Sequence, residues 1–200
     1  MYLRNPDQQL VKVIVSGPFG VGKTTIIRTL SEIPPLKTEE VMTATGAVVD
    51  HLDGVRDKTT TTVGLDYGRL SLGDDLALCL FGTPGQKRFH ALWEDITRGA
   101  LGALILADTR RIEDSYEVMG LIEEQGIDYA VALNLFPDSP QYSDEELRKA
   151  LDLAPETPLV ACDARDRSTS LAALLALAEH LLAFPRPPSG GDAALALEQS

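Results

Sequence analysis

The sequence of 200 residues carries 30 acidic and 18 basic side chains, a formal net charge of −12, and 44% of it is hydrophobic. This length allows one domain with a full hydrophobic core, and the acidic balance argues against a nucleic-acid partner. The sequence contains no membrane-spanning run, signal peptide or lipidation motif. Cys79 and Cys162 lie in apolar runs, which favours buried thiols in a reducing compartment. We therefore expect a cytoplasmic protein without an intrinsic membrane anchor.

A phosphate-binding motif, G-x-x-x-x-G-K-[ST], occurs without mismatch near the N-terminus. An apolar, β-branched run at residues 10–16 precedes it, and a helical pattern at residues 24–30 follows it. A strand that leads through a glycine loop into a helix directs backbone N–H groups at a polyphosphate. Lys23 is expected to contact the terminal phosphates, and the Thr24 hydroxyl to bind Mg²⁺. The nucleotide-binding residues predicted in this loop are Gly17, Phe19, Gly20, Val21, Gly22, Lys23, Thr24 and Thr25.

The rest of the chain alternates apolar runs with helical patterns. Two prolines end the first helix, and residues 36–61 are predicted to form a long, polar, functional loop. Five further strands are predicted at residues 63–72, 76–81, 101–107, 129–133 and 158–162. Helices are predicted at residues 89–98, 112–125, 143–151 and 168–184. We expect an α/β fold with a mainly parallel six-stranded sheet, one antiparallel strand and helices on both faces, spanning residues 1–184 before a flexible tail at 185–200.

Four segments beyond the phosphate loop resemble motifs of the Ras-like small GTPases, in order and in spacing. Thr62-Val-Gly-Leu-Asp-Tyr-Gly68 is similar to the first switch, and Thr83-Pro-Gly-Gln86 is similar to the second. Asn134-Leu-Phe-Pro-Asp138 stands in the place of the guanine-recognition motif, and Cys162-Asp-Ala-Arg165 in that of the last base-contacting loop. Over residues 10–184 the chain resembles the bacterial Ras-like GTPases of the gliding-motility polarity and actinobacterial conservon type. The resemblance implies a P-loop NTPase with GTP or GDP as ligand and Mg²⁺ as cofactor.

The resemblance also implies roles for the two switches. Thr62, or alternatively Thr61, would bind Mg²⁺ and the terminal phosphate, so its loop would be ordered with the triphosphate and released without it. The Gly85 N–H would contact the γ-phosphate, and Gln86 would orient the attacking water. Both switches would then change shape with the nucleotide.

The implied base site departs from the family pattern. Asn134 is retained, but a leucine replaces the lysine that would lie along the base, and Pro137 replaces the guanine-binding aspartate. Asp138 follows one position late; a proline bend could bring it into place, or base selectivity could be lost. Ala164 would donate its N–H to the base carbonyl, and the stem of Arg165 would lie against the base.

Two more departures concern charge at the phosphates. Gly82 stands where an aspartate normally holds Mg²⁺ through water, so the cation could rely on threonines and phosphates alone. Alternatively Asp108, at the end of the strand at 101–107, could supply the carboxylate. The arginine that stabilises the transition state could be Arg56, Arg88 or one from a partner.

These observations favour a regulatory GTPase with slow intrinsic hydrolysis, stimulated by a partner. Lys23, Arg56 and Gln86 are its expected catalytic residues. It would signal to protein partners through residues 35–62 and 82–98, and the resemblance implies activators of the roadblock type. The alternative is a non-hydrolysing, nucleotide-binding pseudo-GTPase that acts as a scaffold or binding module. A phosphotransferase is less favoured, since its lid would carry several arginines.

Overall fold

The computed structural model describes residues 8–34, 36–41, 62–84 and 93–184, with the backbone alone for 36–41 and 62–64. The strands are β1 (Gln9–Ser16), β2 (Leu36–Val41), β3 (Thr62–Leu72), β4 (Leu76–Gly82), β5 (Ala100–Ala107), β6 (Tyr129–Asn134) and β7 (Leu159–Cys162). The helices are α1 (Lys23–Leu30), α2 (Trp93–Thr97), α3 (Asp114–Glu124), α4 (Asp144–Ala150) and α5 (Arg167–Ala183). The predicted division at residue 184 stays a prediction, because residues 185–200 lie outside the described ranges.

The seven strands that the described residues form belong to one sheet, in the order β2-β3-β4-β1-β5-β6-β7. Strands β4, β1, β5, β6 and β7 are parallel, whereas β3 runs antiparallel to both of its neighbours, β2 and β4. The predicted fold class is therefore confirmed, including the one antiparallel strand. The sheet has one strand more than the six expected, because β2 lies where a loop was predicted. Its sequence, LKTEEV, is charged and lacks a core-forming alternation, which is typical of an edge strand.

The core is divided between the two faces of the sheet. On one face, Val13 and Val15 of β1 pack in a cluster with residues of α1 and α5; on the other, Ile14 belongs to a cluster with residues of α2, α3 and α4. This alternation is the two-residue period of a strand whose two faces are both covered. It explains the continuous apolar runs of the central strands and confirms helices on both faces.

Local capping signals set the ends of the helices around the sheet. Ser143 and Glu146 form the capping box predicted at the start of α4, and the Asp166 carboxylate accepts from the Thr169 N–H at the start of α5. A glycine with a φ of 67°, Gly126, follows α3. Because the five strands β4, β1, β5, β6 and β7 are parallel, their carboxyl ends lie at one edge of the sheet. The phosphate loop begins at this edge, after β1.

Candidate functional site

The phosphate loop, residues 17–24, leads from the end of β1 into α1. Gly17, Gly20 and Gly22 adopt φ angles of 138°, 77° and 114°, which strongly favour glycine. A Cβ at Gly17 would lie 2.4 Å from the carbonyl oxygen of Leu106, so no side chain fits where the loop passes β5. Gly22 offers α1 no side-chain cap. The N–H groups of the first helical turn therefore remain available to an anion.

Lys23 is folded back onto this loop. Its Nζ donates to the carbonyl oxygens of Gly17 and Pro18, at 2.7 and 2.8 Å. Burial lowers the pKa of Lys23 to about 8, an effect that the negative charge of Asp66 opposes and the positive charge of Arg111 reinforces. Its partners are two neutral carbonyls, so an arriving phosphate would offer the ammonium a stronger, charged acceptor.

The remaining predicted loop residues differ in exposure. Phe19, at the tip, is 67% exposed, whereas Val21 is fully buried and Thr25 is half-buried. The carbonyl oxygen of Phe19 accepts from Nη2 of Arg111, at 2.5 Å. Arg111 thus anchors the loop tip to the segment after β5.

A carboxylate reaches the first turn of α1 from strand β3. The hydroxyl of Thr24 donates to Oδ2 of Asp66 in a short hydrogen bond. The same carboxylate raises the pKa of Lys23. Asp66 therefore supplies negative charge beside the two side chains that the sequence assigns to phosphate and metal.

Asp66 lies next to Gly82, the position at which the Ras-like GTPases that the sequence resembles carry an aspartate. A Cβ at Gly82 would lie 3.1 Å from the Cβ of Asp66 and 2.9 Å from Cδ1 of Ile27. A larger residue at 82 would thus displace one of these side chains. The carboxylate beside Thr24 thus belongs to β3, whereas β4 ends in Gly82. Beyond Gly82, the hydroxyls of Thr83 and Ser16 are hydrogen-bonded at 2.9 Å and buried.

Asn134, at the end of β6, connects the phosphate loop to the loop after β7. Its Nδ2 donates to the carbonyl oxygen of Val21 at 2.8 Å, and its Oδ1 accepts from the N–H of Ala164 at 2.9 Å. The side chain is 5% exposed. The sequence placed Asn134 in the nucleotide site, and the structure shows that its amide holds two of the surrounding loops together.

Asp108 is bound by two arginines, Arg110 and Arg111. Nε and Nη2 of Arg110 donate to its two oxygens at 2.7–3.2 Å, and Arg111 lies 3.7 Å away. The hydrogen bonds from Arg110 lower the pKa of this fully inaccessible carboxylate. The same guanidinium donates to Asp138 at 2.8 Å and lies 3.8 Å from the ring centre of Phe136. The charge of Asp108 is thus compensated within the protein.

The loop after β7 is organised by its own ion pair. Two nitrogens of Arg165 donate to the carboxylate of Asp163, which lowers the pKa of Asp163 to about 2. The Ala164 N–H, expected from the resemblance to bind a base, is occupied by Asn134 in this structure. Cys162 is buried and its pKa is raised to about 12 by burial and by Asp163; the predicted burial of both cysteines is confirmed.

The structure leaves the predicted roles of several switch and arginine residues untested. Arg56, Arg88, Gly85 and Gln86 fall outside the described residues, and Thr62 is described by its backbone as the first residue of β3. Within the described ranges no three metal-ligating side chains group together, and no helix is long and apolar enough to cross a bilayer.

Sequence reasoning missed three charged residues around the loop: Asp66, Arg110 and Arg111. Asp66 could have been identified from the sequence, because it is a carboxylate between apolar residues of β3, close to the segment similar to the first switch. The two arginines come three and four residues after the end of β5, at the edge where ligands bind in such sheets. Their carboxylate partners, however, are identified only by the three-dimensional arrangement.

The fold and the loop together define a P-loop protein with the architecture of small GTPases. The G domain of the T. maritima FeoB iron transporter is similar, with a TM-score of 0.60 and 17% identity over 86% of this chain and 99% of that one. The Arl6 BBS3 small GTPase from Trypanosoma brucei gives a TM-score of 0.59 and 19% identity over 86% and 96%. Identities this low establish the fold alone.

Sequence comparison adds the family. The profile of a family described as "conserved hypothetical ATP binding protein" matches residues 15–137, and the chain belongs to that family. It is 32% identical over 126 residues to the uncharacterized protein MJ1339 of Methanocaldococcus jannaschii, covering 62% of this chain and 69% of the relative. It is also 27% identical over 108 residues to the Ras-related protein Rab-10 of Caenorhabditis elegans, with 52% and 44% covered. The chain thus spans less than half of Rab-10.

Proposed function

We propose that this protein is a GTP-binding regulatory switch that hydrolyses GTP to GDP slowly with Mg²⁺. The observation that carries the proposal is the phosphate loop: Lys23 and Thr24 lie at the sheet edge, and Asn134 ties that loop to Ala164. The first test is the identity of the nucleotide that co-purifies with the protein. Guanine nucleotides support the proposal, and adenine nucleotides alone would contradict it.

The donor atoms near Thr24 suit Mg²⁺. A hydroxyl and a carboxylate are the hard oxygen ligands this cation prefers, and Mg²⁺ in nucleotide sites takes its other ligands from phosphates and water. We assign the carboxylate to Asp66 in place of Asp108, since Arg110 already holds Asp108. When bound, the cation neutralises charge on the phosphates, and Thr62 of the first switch would complete its protein ligands.

The metal assignment is tested by the gain in GTP affinity that Mg²⁺ produces over EDTA. Asp66→Asn should reduce this gain at least about tenfold, because an amide oxygen binds the cation more weakly than a carboxylate. Asp108→Asn is the matched control and should retain the gain. A larger loss in the Asp108 variant would return the role to that residue.

Guanine selectivity is proposed to depend on Asp138. Its side chain is 71% exposed and is held at 2.8 Å by Nη1 of Arg110, which also stacks on Phe136. A carboxylate accepts hydrogen bonds from the N1 and N2 donors of guanine. Adenine lacks these donors, so it would leave the polar groups of the site unpaired, and the site would reject it. Displacement of fluorescent GDP should favour GTP over ATP, and Asp138→Ala should remove most of the preference. Equal displacement by ATP and GTP in the wild type would refute guanine selectivity.

Hydrolysis is assigned to the second switch. Gln86 would orient the attacking water, Lys23 would stabilise charge on the phosphates, and Arg56 or a partner's arginine would complete the stabilisation. Single-turnover measurements should give an intrinsic rate on the order of 10⁻⁴ to 10⁻² s⁻¹. A partner that supplies the missing charge should raise it.

One observation favours a second candidate, a nucleotide-binding module that does not hydrolyse. Gly82 replaces the aspartate of the second switch, and a Cβ there would press against Cδ1 of Ile27 at 2.9 Å and the Cβ of Asp66 at 3.1 Å. In this case GTP would be bound tightly and recovered intact after a single-turnover incubation. The same experiment therefore separates the two candidates.

The remaining parts of the proposal rest on the resemblance in sequence. It supports a bacterial Ras-like GTPase of the gliding-motility polarity and conservon type, acting in the cytoplasm through roadblock-type activators. Those partners would bind residues 35–62 and 82–98, and residues 1–184 would form the GTP-binding domain with a flexible tail at 185–200. Co-purification with candidate activators in the GTP and GDP states is the direct test.

A further inference from the structure

A cavity lies at the opposite end of the sheet from the phosphate loop. Its volume is about 400 Å³, and it is formed by the end of α3, the start of β6, the segment before β7 and the end of α5. Strand β6 connects the two ends, with Tyr129 at the cavity and Asn134 at the nucleotide side. At about 3.3 Å per residue the two sites are about 16 Å apart. This volume lies in the range of small-ligand sites.

The wall of the cavity is acidic. Glu123, Asp128 and Glu156 line it, and no lysine or arginine does so among the described lining residues. Arg148 donates to the carbonyl oxygen of Thr157, one of the lining residues, at 3.0 Å, and its charge is paired with the carboxylate of Asp144 at 2.9 Å. The cavity therefore favours a positively charged occupant.

Aromatic rings complete the lining. The Tyr129 hydroxyl donates to Oε1 of Glu123 at 2.6 Å, and burial together with this carboxylate raises the pKa of Tyr129. The rings of His180 and Phe184 lie 5.3 Å apart at 47°. Aromatic faces beside carboxylates attract flat organic cations by stacking and by cation–π interaction.

His180 is a polar residue in the lining of the cavity. The residue is 9% exposed, lines the cavity and belongs to α5. Neither of its ring nitrogens has a hydrogen-bond partner among the residues that the structure describes. The imidazole therefore offers its nitrogens as hydrogen-bonding groups to an occupant of the cavity.

We propose that this cavity binds a guanidinium group, presented by an arginine side chain of a partner protein. The planar group would lie against the aromatic rings and donate hydrogen bonds to Glu123 or Glu156. A further N–H of the guanidinium would donate to the acceptor nitrogen of the His180 ring. A guanidinium has five donors in one plane, which matches acceptors arranged on more than one side. This site is independent of the nucleotide and does not rest on the proposed function.

The probe is N-acetylarginine amide, titrated into the full-length protein and followed by NMR of the His180 ring. A dissociation constant on the order of a few millimolar is expected for a ligand of this size. Glu156→Gln should weaken binding about tenfold, since one charged acceptor is lost. Glu124→Gln, a neighbouring carboxylate outside the cavity lining, should leave it unchanged. Neither change should alter nucleotide affinity.

Three further ligands and one variant distinguish the occupants. Blocked citrulline, the neutral isostere, should bind at least about tenfold more weakly. If blocked lysine bound with equal affinity, the guanidinium assignment would be overturned. If agmatine bound far more tightly than blocked arginine, the occupant would be a free metabolite and not a protein partner. Binding seen only in Arg186→Gln would show that the chain's own arginine fills the site. An unperturbed His180 ring throughout would refute the cavity as a binding site.

Discussion

Asn134 offers the sharpest test of how the site is built. Asn134→Ala removes the hydrogen bonds to the Val21 carbonyl oxygen and from the Ala164 N–H, at 2.8 and 2.9 Å. Val21 and Ala164 are 0% and 1% exposed, so both backbone groups would be left without water or partner. Each unsatisfied buried group costs about 1–3 kcal/mol. We therefore expect the free energy of unfolding to fall by roughly 2–6 kcal/mol.

Urea unfolding, followed by circular dichroism without nucleotide, measures this loss. Leu135→Ala is the matched control, because the next residue is 41% exposed and should change the free energy of unfolding by less than about 1 kcal/mol. The GTP affinity of Asn134→Ala should also fall at least about tenfold, since the phosphate loop loses its support. A loss of stability below about 1 kcal/mol, equal to that of the control, would refute the claim that Asn134 holds the two loops together.

Three further predictions concern Lys23, Gln86 and Ser143. The pKa of Lys23 lies at about 8 in the free protein, so about half of its amine is protonated at pH 8, and a bound phosphate should raise this pKa. GDP binding at pH 8 should therefore take up about half a proton, which calorimetry in two buffers measures. Zero uptake would show that Lys23 does not contact the phosphates. Gln86→Ala should slow single-turnover hydrolysis about tenfold with little change in affinity, and an unchanged rate removes it from the mechanism. Ser143→Ala should lower the free energy of unfolding by about 1 kcal/mol through loss of the capping box, whereas no change in the urea midpoint would show that α4 is held by packing alone.

The sequence was most informative where pattern alone fixes structure. Apolar runs located the central strands, and the glycine motif located the phosphate loop, because those features need no information from distant residues. Strand β2 was missed since its polar sequence lacks alternation and depends on pairing with β3.

The side-chain partners of the site were harder to foresee. Asp108, at the end of a buried strand, is one of two alternatives that the sequence offers at the metal site, and its two arginine partners become visible only in the structure. Asp66 lies 42 residues from Thr24, and their contact depends on how β3 is placed over α1. Partnerships of this kind arise from sheet order and register, which composition and spacing do not encode.

The Asn134 contacts also bear on how the protein is made. Its amide joins groups 113 residues before it and 30 residues after it along the chain. Ribosomes add roughly 5–20 residues per second, so about 1.5–6 s pass between synthesis of Asn134 and of Ala164. During that interval the nascent chain already contains the phosphate loop but lacks the last segment that supports it. Nucleotide can therefore stabilise the newborn protein fully only after its C-terminal strand and helix have been made.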